Sequence, residues 1–250
     1  MRQYDHLFFD LDNTLWDFST NSRLAMYDTV QQTKLLERLP NFEVFFSEYE
    51  KINSALWNEY HFKKITKQKL IVERFCQSFQ LFGINDLNWE ELNHLYLENM
   101  AIQEHLFQHT VETLEKLKAK DYQMHIITNG FREVQHKKLR NCGIEHFFTK
   151  VFISEEIQCT KPHREIFEHA LKSTNARKTR SIMIGDSWDT DIIGALNFGM
   201  DQVMFLNENR NQIPTTIRTM KFGVSPFFQE FKGTIKTYFI NKIEELAIIL

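Results

Sequence analysis

Cysteine is scarce in this chain: Cys76, Cys142 and Cys159 are the three in 250 residues. They show no ligand spacing, so neither a disulfide framework nor a zinc site is indicated, and they read as reduced packing residues. Long apolar runs are also missing. None approaches the ~18 residues that a membrane-spanning segment needs, and from Met1 the chain passes almost directly into a strand without a charged-then-apolar leader. A soluble, cytoplasmic protein with no membrane partner is the expectation. Surplus positive charge is lacking too, since 30 Lys and Arg against 33 Asp and Glu leave a formal net charge of −3. That balance argues against a binder of nucleic-acid polymers. It leaves room for an anionic small molecule held by a local positive site. Repeats and low-complexity tracts do not occur. Phenylalanine, by contrast, is plentiful at 23 residues, and aromatic side chains bury large areas each. With 42% hydrophobic residues, the chain can bury a good core in one or two domains.

Strand signals are nearly absent between an apolar strand at Leu7 to Phe9 and a second at Gln123 to Thr128. The intervening stretch reads as helical. Phe45, Tyr49, Ile52, Leu56 and Tyr60 recur at three- and four-residue steps, as on an amphipathic helix. Ile71, Phe75, Phe79 and Phe82 do the same and end at Gly83, a C-terminal cap. Asn88-Trp89-Glu90-Glu91 resembles a capping box opening another helix with Leu92 and Leu95 inward, and a preceding helix is expected over residues 19–38. After residue 104 helices and strands alternate. Helices are expected from Thr110, from Phe131 to Asn141 with Gly143 as the stop, from His163 and from Thr190. Strands are expected at Val151, Ser181 and Val203 to Leu206, with an ending of Thr237 to Ile240 and Lys242 to Leu250. Strands separated by helices imply a parallel sheet with right-handed crossovers. The fold class is therefore α/β: a Rossmann-like parallel-sheet core domain over residues 1–15 and 105–250, with an inserted α-helical cap domain over residues 16–104. Residues 207–236, with Phe222, Phe227, Phe228 and Phe231, read as an insertion that packs on the sheet edge, contacts a second copy or forms a flap.

Chemistry gathers at the strand ends. The first strand runs into Asp10-Leu11-Asp12-Asn13-Thr14, a pair of carboxylates where open α/β sheets collect ligands. Such a pair can share a metal ion or divide nucleophile and proton-transfer duties, or it can be an aspartate-rich surface turn. The second strand ends in Thr128-Asn129-Gly130, whose hydroxyl and turn amides suit phosphate oxygens. Lys161-Pro162 follows the third, and Gly185-Asp186-Ser187-Trp188-Asp189-Thr190-Asp191 the fourth. Singly, each has a bland reading: Thr128 as a strand-end hydrogen bonder, Lys161 as a solvated loop charge, Asp191 as a helix N-terminal acid. Their order along the chain makes coincidence a poor account.

These four segments resemble the motifs of the haloacid-dehalogenase-like (HAD) phosphohydrolases over nearly the whole chain. Ile127 to Phe131 and Ile153-Ser154-Glu155-Glu156 look most like a pyrimidine 5′-nucleotidase subgroup. The resemblance implies a Mg²⁺-dependent phosphatase in which Asp10 attacks phosphorus to form an aspartyl-phosphate. Asp12 would be general acid and then general base. Asp10 and Asp186 would hold Mg²⁺ through side chains and Asp12 through its main-chain carbonyl, with Asp191 orienting a metal water or Asp186 and Asp189 ranked below it. Thr128, the Asn129 amide and Lys161 would bind the phosphate, Lys161 also offsetting the charge of Asp10. The implied substrate is a small phosphorylated metabolite, a nucleoside 5′-monophosphate and foremost a pyrimidine one. A sugar-phosphate phosphatase or a phosphomutase is the alternative, and 2-haloacid dehalogenation fits less well, since a leaving halide needs neither a metal nor the acid at Asp12. Trp16, Phe18 and Trp188 are candidates to touch substrate, ahead of Trp57, Tyr60 and Phe62 in the cap. The cap is expected to close over substrate on hinges near 15–20 and 104–110. Monomer and homodimer both remain open.

Overall fold

In a computed structural model, the described residues are 2–206, the backbone of 227–231, and 235–250. Short apolar runs become strands because each is buried on both faces of a parallel sheet, where alternation is unnecessary. β1 (His6–Phe9), β2 (Gln123–Thr128), β3 (Lys150–Ile153), β4 (Ser181–Gly185), β5 (Asp201–Phe205), β6 (Phe227–Phe231) and β7 (Ile235–Ile240) form one sheet in the order β3-β2-β1-β4-β5-β7-β6. All pairings are parallel except β6 on β7, which is antiparallel at the edge. The chain steps outward from β1 to β2 and β3, then returns to β4 on the other side of β1. That reversal is the switch point at which α/β sheets open a crevice beyond their carboxyl ends.

Helices α1 (Phe18–Gln32), α2 (Phe42–His61), α3 (Lys67–Gln80) and α4 (Trp89–Ala101) precede β2, as does α5 (Thr110–Ala119). Later come α6 (Arg132–Asn141), α7 (Ser154–Ile157), α8 (Arg164–Thr174), α9 (Ile193–Phe198) and α10 (Leu246–Ile249). Side-chain caps fix the starts of three of the long helices: Asn41 accepts from Val44 N–H, Thr66 from Lys69 N–H, and Asn88 from Glu90 and Glu91 N–H. Phe8, Ile127 and Met183 of the sheet pack with Ile166, Phe167 and Ala195 of α8 and α9 in one apolar cluster.

The chain divides into two compact units. One comprises Met1–Phe18, His105–Arg132 and Cys142–Leu250, the other Ser19–Glu104 with Glu133–Asn141. Within the helical unit many of the aromatics meet, Phe45 on Phe79 with centroids 4.5 Å apart and Tyr49 on Phe75 at 5.7 Å. Asn141 Nδ2 donates to Ala101 O at 2.7 Å, and Lys67 pairs with Glu133 at 2.8 Å, so α6 packs with this unit.

Two expectations are corrected. The helix expected over 19–38 stops at Gln32, because Lys34 turns left-handed at φ 58° and only a short 3₁₀ turn, Leu35–Arg38, follows. The helix expected from Thr190 starts at Ile193, preceded by a wider turn over Trp188–Ile192. Most of the Phe-rich stretch 207–236 lies outside the described residues. Within it, β6 forms the outer strand of the sheet. Among the described residues no helix is long and apolar enough to cross a membrane.

Candidate active site

Three loops leaving the carboxyl ends of β1, β3 and β4 supply the charged groups. Asp10 follows β1 directly, and its N–H donates to Ile184 O of β4 at 2.8 Å. The next turn is tight: Leu11 O accepts from the N–H groups of Thr14, Leu15 and Trp16, and Asn13 sits at φ 63°, a conformation Asn tolerates better than most residues. The turn brings Thr14 Oγ1 to 3.4 Å from both Asp10 Oδ2 and Asp186 Oδ1. Beyond β4, Ser187 N–H donates to Asp191 Oδ2 at 3.0 Å. Gly185 is needed at this point, since a Cβ there would overlap the Asp191 carboxylate.

Lys161 is 1% exposed; its ammonium donates to Asp10 Oδ1 at 2.6 Å and Ile127 O at 2.7 Å, and forms an ion pair with Asp191 Oδ1 at 2.7 Å. Burial works against its charge, but Asp10 and Asp191 outweigh that and hold it above the usual lysine range. Asp10 is pushed well above the ordinary carboxylate range, first by burial; Lys161 opposes the shift, while Asp191, Asp186 and Asp12 reinforce it. Carboxylate oxygens of Asp10, Asp186 and Asp191 lie within 4.8 Å of one another, all buried. One ammonium faces three acids. Hard oxygen donors at such spacing, short of positive charge, fit a hard divalent cation such as Mg²⁺.

The other residues singled out from the sequence fall as follows. Thr128 is buried at the end of β2, and its Oγ1 accepts from Gly130 N–H at 3.1 Å. Asn129 is buried with its carboxamide on the Lys161 backbone, so only its main-chain N–H suits the phosphate contact expected of it. Lys161 donates to Asp10 and to the Ile127 carbonyl and pairs with Asp191, which makes it a partner of these acids before it can serve a phosphate. Asp12 is half-buried on the β1 loop, where its backbone bridges to Trp16. Asp189 is exposed and outside the carboxylate group. Among the aromatic candidates, Trp16 is 0% exposed, and its ring meets that of Phe18 edge-on with centroids 6.2 Å apart. Phe18 and Trp188 are half-buried, Trp188 packing against the Ile192, Met204 and Phe239 cluster.

Some roles escaped the reading of the sequence. Thr14 stood inside the first motif without its hydroxyl being given a partner. The Ile127 carbonyl and Ser187 N–H are main-chain groups that no side-chain pattern signals. Glu155 accepts from Arg132 N–H at 2.9 Å and so fixes the entry to α6 just past Thr128-Asn129.

Comparison with known proteins agrees with this geometry. Pyrimidine 5′-nucleotidase PynA of Streptococcus pneumoniae is 32% identical over 203 residues, covering 81% of this chain and 84% of that protein. A glyceraldehyde 3-phosphate phosphatase of Methanothermobacter thermautotrophicus is 31% identical over 205 residues, covering 81% and 85%. The crystal structure of the HAD-hydrolase YfnB of Bacillus subtilis, bound to magnesium, superposes with a TM-score of 0.82 at 26% identity, over 100% of this chain and 99% of that one. A family model for haloacid dehalogenase-like hydrolases matches residues 4–199, and with the acids and lysine gathered at the strand ends it places the chain in that family: this protein is a haloacid dehalogenase-like hydrolase.

Proposed function

We propose that the chain is a Mg²⁺-dependent phosphatase that hydrolyses small phosphate monoesters through an aspartyl-phosphate. The observation that carries this reading is the buried contact of Lys161 with both Asp10 and Asp191 beside Asp186, at the carboxyl end of the sheet. Phosphate monoesters resist hydrolysis because their anionic oxygens repel a nucleophile and the alkoxide leaves badly. An oxygen of Asp10 attacks phosphorus in line, and the bond to the leaving oxygen breaks as that oxygen takes a proton from Asp12. Asp12 then takes a proton from water, whose oxygen attacks the aspartyl-phosphate. The bond from phosphorus to Asp10 breaks and inorganic phosphate departs. The Thr128 hydroxyl and the Asn129 main-chain N–H hold the transferring oxygens, and Lys161 keeps Asp10 placed and partly neutralised. The Asp10 and Asp186 side chains and the Asp12 main-chain carbonyl, with Asp191 behind them, would hold Mg²⁺, which would supply positive charge to the transferring phosphoryl group.

The substrate we infer is a small phosphorylated metabolite of the cytoplasm, a nucleoside 5′-monophosphate and foremost a pyrimidine one. The similarity to PynA supports this. The similarity to a glyceraldehyde 3-phosphate phosphatase favours the second reading, a sugar- or triose-phosphate substrate. A phosphate-release panel over nucleotides, sugar phosphates and triose phosphates with Mg²⁺ tests the assignment. Pyrimidine monophosphates should give the highest kcat/KM, and preference for a sugar phosphate over every nucleotide would overturn it. Exhaustive chelation should silence turnover and added Mg²⁺ should restore it; full activity in the chelated enzyme removes the metal from the reading.

A further inference from the structure

Asn129 does more with its side chain than with its backbone. Its Oδ1 accepts from Lys161 N–H at 2.9 Å, and its Nδ2 donates to Lys161 O at 3.0 Å. Both residues are buried, so neither bond is shared with solvent. The pair imitates the two-way exchange by which adjacent strands fix one another, across a loop that has no strand neighbour at this point. Lys161 reaches back the same way, its ammonium donating to Ile127 O of β2. Three bonds therefore tie one lysine to the end of β2 and the residue that follows it, at both its backbone and its tip. A lysine side chain is long and freely rotating, and a free backbone would let its ammonium wander by more than a hydrogen-bond length. One hydrogen bond sets a distance; two in opposite senses set an orientation.

We propose that Asn129 is a positioning residue for Lys161: its carboxamide fixes the lysine backbone so that the ammonium meets Asp10 and Asp191 together. The side chain touches neither substrate nor metal in this scheme and acts only through Lys161. The placement stands on geometry alone, whereas its effect on turnover rests on the proposed phosphatase reading.

Asn129→Ala tests both parts, because it removes the carboxamide and keeps the main-chain N–H assigned to phosphate. The first readout is independent of activity: a brief pulse of acetic anhydride on the folded protein, with each lysine quantified by peptide mass spectrometry. Lys161 labelling should rise about tenfold over wild type, as expected when one or two buried hydrogen bonds no longer oppose local opening. Lys138, buried on α6, should stay protected. Asn129→Asp keeps the acceptor for Lys161 N–H but sets an oxygen against Lys161 O, and should fall between the two. The second readout is kinetic: kcat should drop about 10- to 100-fold, the scale of a misplaced catalytic group, with KM within about threefold. Unchanged Lys161 labelling in Asn129→Ala would overturn the inference. Labelling of Lys161 and Lys138 together would also overturn it, since that is general loosening. A wild type that releases phosphate from no monoester would sink the phosphatase reading and leave the labelling to judge the clamp.

Discussion

Asp5 and Asp10 bracket the same four-residue strand, yet their carboxyl groups are driven in opposite directions. Asp5, at the amino end of β1, takes two hydrogen bonds from the Arg180 guanidinium, Nε at 2.8 Å and Nη2 at 2.7 Å, and these bonds hold it down to about 2 against a mild cost of burial. Asp10, at the carboxyl end, lies almost out of solvent among other acids with one ammonium between them, and burial drives it well above the ordinary range. One end of the sheet is paired for stability. The other is left short of positive charge, an arrangement that suits the cation-assisted chemistry proposed for it. Residue type cannot make that distinction; depth and neighbours do.

Asp10→Asn gives the sharpest test of this contrast. On the proposed mechanism turnover should fall by about 10⁴-fold or more, since an amide cannot act as the nucleophile, as measured by phosphate release at saturating substrate. Stability should not fall with it. Lys161 keeps Asp191 and Ile127 O, and the cluster loses a surplus negative charge, so Tm should hold or rise, in line with sites that trade stability for function. A Tm several degrees lower with activity retained would break the comparison at its functional end.

The middle of the sheet offers an intermediate case. His125 on β2 is 2% exposed, its Nε2 lies 3.2 Å from His6 Nδ1, and its ring stacks 4.9 Å from Phe8. Burial, then His6 and Lys150, lower it to about 4 from the usual 6.5. The unfolded chain therefore takes up a proton as pH falls through 6.5, while the folded chain does not until about 4. Stability present above 6.5 is lost across that window, by up to about 3 kcal/mol. In urea titrations between pH 7.5 and 4.5, His125→Phe should remove most of this slope. An unchanged slope would assign the acid sensitivity to other groups.

What could be read from the sequence follows the same physics. Parallel strands buried on both faces read as unbroken apolar runs, so β1, β2 and β4 and the acids or hydroxyl that end them stand out. Helix starts were legible where a side chain caps them, as at Asn88. Pattern fails where conformation or partners decide. Leu35, Leu36 and Leu39 prolong the apolar spacing of α1, and only the left-handed turn at Lys34 ends the helix. Trp16 sits two residues from Phe18 in a promising loop, yet nothing in its spacing says that its ring faces inward. The carboxamide of Asn129 finds its partner 32 residues away across a loop, a contact that one sequence cannot disclose.

Asp5→Asn should give the smallest effect. The Asp5 and Arg180 side chains are 35% and 31% exposed, so solvent screens the pair and the expected loss is about 1 kcal/mol at pH 7 despite its two-point geometry. Sign and window follow from the lowered carboxyl: the contribution is whole above about 4 and disappears as pH falls towards 2. The difference in urea midpoint between wild type and variant should thus shrink from pH 7 to pH 3, and also in 0.5 M salt at pH 7. Turnover should be unaffected, because Asp5 lies at the far end of the strand from Lys161 and its acids. A loss of several kcal/mol would mean that this end of the sheet is no less electrostatically demanding than the site, and the contrast between the two aspartates would collapse.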